Sequence, residues 1–170
     1  MNELDSTWAA MLEAAIRNAE VSGRTDIADY LHLKASNDLL RTTATAWLLD
    51  SFIEAAMEAA RHNAAIKVER EEPYQFSRGS GRMDGSRLII SFGVRCLEVK
   101  AGWPRTPSSG ILRGNALAAA DILHFGLARH NSTLSLVRAD AGPRWIDERG
   151  HSADLAFVSR HIALLIDEID

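Results

Sequence analysis

"RLIISFGVRCLEVK", residues 87–100, decides how the middle of the chain folds. Phe92-Gly93-Val94-Arg95 reads as a two-residue hairpin loop, with glycine at the first loop position as a type II′ turn prefers. That turn sets a register pairing Phe92 with Arg95, Ile90 with Leu97, and Leu88 with Val99. These positions form one apolar face, broken only by Arg95 at the tip. The other face pairs Ser91 with Cys96, Ile89 with Glu98, and Arg87 with Lys100. It is mostly polar, and Glu98 stands diagonal to Arg87. One dry and one wet face is the mark of an antiparallel pair with one side on a core. Strands are expected over 86–92 and 95–101.

Upstream, Ile66 and Val68 alternate with Lys67 and Glu69, so a third strand precedes the hairpin. Pro73 interrupts it, Tyr74 and Phe76 resume it as an edge, and "SRGSGR" at 77–82 reads as a loop. Before that the pattern is helical. Leu4, Trp8, Met11, Leu12, Ala15, Ile16 and Ala19 share a helix face, and Gly23 is a natural stop. A second helix starts at Thr25; residues 26–62 hold no Gly or Pro, so one long helix is possible, but Ser36-Asn37-Asp38 looks more like a break and a new N-cap. The helix beyond it carries Leu40, Trp47, Phe52, Ala56 and Met57 toward a core and ends at "RHN", 61–63.

Downstream, "GWPRTPSSG" at 102–110 is irregular, and Asn115 is expected to cap a helix running to about 129. Leu134 and Leu136 mark a fourth strand, and Trp145 sits in a further short one. Ser152 is read as opening a last helix with Leu155, Val158, Ile162, Leu165 and Ile166 on its apolar face. No linker divides the chain. The expectation is a single α+β domain over 1–170: a helical region 1–64, then a sheet with packed helices over 65–170. The sheet is a three-stranded antiparallel meander plus a fourth strand, with a crossover helix and a C-terminal helix.

With 170 residues, 46% hydrophobic and 25% charged, the chain can bury a real core. The start, MNELDSTW, holds two acids and no basic residue, unlike a secretory signal, and no apolar run is long enough for a membrane span. A single cysteine, Cys96, permits no internal disulfide and fits a cytoplasmic protein. The net charge of −4 argues against a general nucleic-acid binder. Residues 78–113 nevertheless carry seven basic and two acidic side chains, a local field that suits an anionic ligand or an acidic partner.

Candidate chemistry is sparse. Asp84 followed by Glu98-Val99-Lys100 resembles the metal-binding hairpin of the PD-(D/E)xK nucleases. The resemblance implies two carboxylates on a divalent ion and a lysine at the attacking water. The hairpin register opposes it. Asp84 lies five positions before Ile89, the partner of Glu98, which is roughly 16 Å along the strand and on the other face. Only a longer loop or a bulge near Gly93 would bring the acids together. The six histidines show no H-x-x-x-H, and no C-x-x-C or P-loop is present, so no metal and no cofactor is expected. Asp121 and His124, three apart on the expected helix, could pair. Cys96 carries no sign of reactivity, and no catalytic residue can be named.

Two functions fit. The first is a non-catalytic interaction module that binds another protein or, as a homodimer, itself. In residues 40–170 the expected order, helix–three strands–helix–strand–helix, is similar to that of the secretion-type effector chaperones. That resemblance, of element order and acidity alone, implies a small dimeric protein that binds partner chains. The second function is binding of a small anion, or an enzyme, centred on the loop 102–115. There Trp103 offers a flat surface, Arg105 and Arg113 offer charge, and Asn115 opens a helix N-terminus, with His124 on the same helix.

Overall fold

The computed structural model describes residues 3–167, with side chains from 6 onward; the N-terminal side chain of Leu4 and residues 168–170 lie outside that description. The protein is α+β. Two helices, α1 (Glu3–Val21) and α2 (Thr25–Ala60), precede six strands. These are β1 (Ile66–Arg78), β2 (Gly81–Phe92), β3 (Arg95–Trp103), β4 (Ala118–His124), β5 (Ser132–Val137) and β6 (Arg144–Ile146). Helix α3 (Leu155–Ile166) follows. The strands pair in chain order, each antiparallel to the next, in one sheet. The chain groups into two compact units, Met1–Thr42 and Thr43–Asp170.

In the unit Met1–Thr42, Gly23 takes φ +69 at the turn between the helices. Asp38 accepts from the Trp8 indole at 3.4 Å and from Arg41 at 2.9 Å, and Lys34 lies over the Trp8 ring. The expected break at Ser36-Asn37-Asp38 does not occur. α2 is continuous, because no Gly or Pro interrupts it and Asp38 spends its carboxylate on neighbouring side chains instead of competing for the backbone. The apolar face expected on α1 is narrower than its pattern. Leu12, Ile16 and Ala19 are buried, whereas Trp8, Met11 and Ala15 are exposed.

In the unit Thr43–Asp170, the β2–β3 register is the one the turn dictates, from Phe92 with Arg95 to Arg87 with Lys100. Gly93 takes φ +60, and among the described residues only Asn115 does so without being glycine, which leaves Val94 in the conformation of a type II′ turn. Leu88, Ile90, Leu97, Val99 and Ala101 are fully buried. The pairing carries this face on through Ala120, Ile122 and His124 of β4, Leu134 and Leu136 of β5, and Trp145 of β6. The residues of α2 that belong to this unit bury Leu48, Leu49, Phe52 and Ala56, and the Trp145 indole donates to the Ala44 carbonyl at 2.9 Å. Trp47 and Met57, expected near the core, are exposed.

Helix α3 buries Phe157, Val158, His161, Ile162 and Leu165, while Leu155, expected on that face, is exposed. Its N-cap is Asp154, which accepts from the Phe157 N–H at 2.9 Å; Ser152, read as the opening residue, bridges to Ile146 instead. Arg95, the polar exception at the hairpin tip, donates to the carbonyls of Leu165 and Asp167 at the end of α3.

The largest departure lies at 115–129. The expected crossover helix is absent, and strand β4 occupies its place. The element order behind the likeness to secretion-type effector chaperones is therefore not the order of this chain. The alanine run 118–120 suits a strand covered on both sides. Ala118 and Ala120 face the helices, and Ala119, on the other face, is also fully buried. The cover on that second face comes from the β1–β2 hairpin. Its loop is shorter than expected, since pairing persists to Arg78 with Gly81. Arg78 donates to the Leu134 carbonyl at 2.9 Å and approaches Asp121 at 3.9 Å. Leu134 is four strands from β1, roughly 19 Å across a flat sheet, so the hairpin end must fold back over the sheet. Phe76 and Met83 are buried beneath it, and Lys100 lies 5.6 Å from the Phe76 ring centre. The bend passes through Gly85 and Gly102, which pair with each other so closely that a Cβ at Gly102 would come within 2.6 Å of the Asp84 carbonyl oxygen.

Candidate functional site

The loop after β3 brings together only part of the expected site. Trp103 is 5% exposed at the end of β3, and the Arg105 guanidinium stacks over its ring at 4.3 Å. Trp103 is thus a core residue with a cation on it, not an open platform. Thr106, Ser108 and Ser109 share a hydroxyl cluster with oxygens 2.8 and 2.9 Å apart. Arg113 and Asn115 lie on a single exposed 3-10 turn, where Gly114 and Asn115 both take positive φ. No helix begins there, so the row of free N–H groups expected to greet an anion does not form. His124 also stands apart. It pairs with Leu97 at one end of β3, and Trp103 is six residues away at the other, roughly 20 Å along the strand.

The hairpin charges neutralise one another. Arg87 meets Glu98 at 3.0 Å and Glu71 at 3.6 Å, and Lys100 reaches Glu98 at 4.0 Å. Asp84 pairs in register with Trp103 and accepts from the Gln75 amide, at the far end of β2 from Glu98. Burial first, and Glu98 second, push the Cys96 thiol up, which leaves it protonated at neutral pH.

His124 has a different partner from the one expected. On a strand, Asp121 and His124 point to opposite faces, and Asp121 turns to Arg78. On the core face, His124 Nε2 lies 2.8 Å from Nδ1 of His161 on α3, with ring centres 5.1 Å apart and planes 20° apart. Both histidines are 4% exposed. His161 Nε2 lies 3.4 Å from the Ser132 hydroxyl on β5. The Phe157 ring centre lies 4.5 Å from that of His161, and that of Phe52 on α2 lies 6.2 Å from it. The backbone N–H of His124 donates to the Asn131 side chain at 2.8 Å. Burial, followed by His124, Arg160 and His130, pushes His161 down to about 4; burial and then His130 also lower His124.

Ser132, His161 and His124 form a line with the order of a hydroxyl, a base and an orienting group. Its chemistry at neutral pH is weak. The hydroxyl contact is long, and an imidazole that takes a proton only near pH 4 is a poor base at pH 7. What the line does is hold two neutral rings inside an apolar core. His161 was missed in the sequence although it falls between Val158, Ile162 and Leu165 on the apolar face of its helix; a histidine at such a position was the available signal.

In the unit Met1–Thr42, a shallow hollow of about 190 Å³ is lined by Tyr30, Leu33, Lys34, Asn37 and Arg41. The same unit exposes Trp8, Met11, Tyr30, Leu33 and Leu39, each between 46% and 67%. Among the described residues no helix is long and apolar enough to cross a membrane. No protein-family model, curated protein or solved structure matches the chain, so the site rests on its own residues.

Proposed function

We propose that the protein is a non-catalytic interaction module that pairs with a second copy of itself through the helices of its first unit. One observation carries this reading: among the described residues of that unit, Trp8, Met11, Val21, Tyr30, Leu33 and Leu39 are exposed, while only Leu12, Ile16, Ala19 and Ala28 are buried, two of them alanines. Two helices side by side enclose only one seam, and helical units close a core with three or four helices. A second copy supplies the two that are wanting. The surface that would meet it carries both signs of charge, with Asp38, Lys34 and Arg41 among its residues, which is compatible with a self-complementary two-fold contact.

Sedimentation velocity across a wide concentration range tests the reading. The parent protein is expected to run at twice the chain mass. The double variant Leu33→Lys, Leu39→Lys, altered only at exposed positions, is expected to run as a folded monomer. A parent protein that stays monomeric throughout, or a variant that still dimerises, would remove it.

A further inference from the structure

We propose that the His124–His161 pair is an acid-operated latch, which holds α3 on the sheet at neutral pH and releases it when the pair takes up protons. Burial favours neutral rings, since both histidines are 4% exposed. With one N–H shared between His124 Nε2 and His161 Nδ1, and the remaining His161 nitrogen on Ser132, the contacts of the line are satisfied in either direction. A first added proton leaves a charge beside Phe52, Phe157 and Leu97 at rings only 4% exposed to solvent. A second sets two N–H donors against each other across 2.8 Å, with no acceptor between them.

No carboxylate acts on the pair from the surrounding elements. The turn after β4 presents His130, which accepts from Arg129 at 3.1 Å, and α3 itself carries Arg160. β3 presents Leu97, β5 presents Ser132, and α2 presents Phe52. Every charged or titratable group acting on the pair from these elements is cationic or becomes so in acid. The folded pair therefore binds protons less readily than the released one. Stability from it is full above the ordinary histidine range, near pH 6.5, and is lost as pH falls toward about 4. For His161 alone the gap from 6.5 to about 4 corresponds to a rise of about 300-fold in the opening constant. The release is local because the pair joins α3 to β4, whereas the sheet is held by its own ladder.

Hydrogen exchange on the full chain, corrected for intrinsic rates, tests this between about pH 7 and about pH 4. Amides of 155–166 are expected to lose protection in acid by two orders of magnitude or more, ahead of those of β3 and β4. His161→Gln, which keeps polar atoms toward Ser132 and His124 without a titrating ring, is expected to lose most of that response. An unchanged acid response in His161→Gln, or loss of protection spread evenly over sheet and helix, would overturn the latch. Should His161→Gln fail to fold, ring titration of the parent by NMR decides: a His161 ring still neutral below about pH 5 supports it, and two rings titrating near 6.5 overturn it.

Discussion

Leu97→Ala probes the core where the hairpin, β4 and the histidine pair meet. Leu97 is fully buried between Ile90 of β2 and His124 of β4. Removing three carbons at about 0.8 kcal/mol each loses about 2.4 kcal/mol of burial. The space left cannot collapse easily, because its walls are two paired strands, so a cavity term raises the total to about 3–5 kcal/mol. Urea unfolding followed by circular dichroism should show this as a lower midpoint at unchanged slope. Ile89→Ala, one position along β2 from the core face and only partly buried, should cost about 1 kcal/mol or less. The cavity also opens beside the His124 ring. Water entering it would relieve the burial that lowers that ring's proton affinity, so the acid sensitivity of the variant should shrink. A cost below about 1 kcal/mol for Leu97→Ala, or a larger cost for Ile89→Ala, would refute the assignment of faces.

Gly102→Ala should destabilise by about 2–3 kcal/mol in a thermal melt, because its Cβ would meet the Asp84 carbonyl, a backbone atom no rotamer change can move; an unchanged melt would deny the close approach of β2 and β3. Asp154→Ala should cost about 1 kcal/mol by removing the cap on the Phe157 N–H, and Asp154→Asn should restore most of it; equal losses in urea titrations of both would assign the effect to charge instead of the hydrogen bond.

The hairpin was legible in the sequence because a two-residue turn fixes parity, and parity fixes every partner down both strands. The same logic failed at β4, where no tight turn set a register and the run around Ala116–Asp121 had the composition of a helix. Tertiary cover decided the matter: small side chains suit a strand pressed between helices and a folded-back hairpin, and that cover arises from residues forty positions earlier. α2 was divided by its Ser-Asn-Asp triplet because those side chains can cap, yet Asp38 had Trp8 and Arg41 to bind. Of the expected site, Trp103 and Arg105 do meet, Arg113 and Asn115 stay on an exposed turn, and His124 found a partner 37 residues away that local spacing could not reveal.

Because the strands pair in the order in which they occur, each ladder closes a short loop of chain, and the entropy lost at each step is small. The sheet can assemble by zippering, one hairpin at a time, without first joining distant segments. The contact between the Trp145 indole and the Ala44 carbonyl spans 101 residues and has no such path. That one bond closes only when β6 is in place to present Trp145, so the indole's partner is among the last the sheet can acquire by zippering.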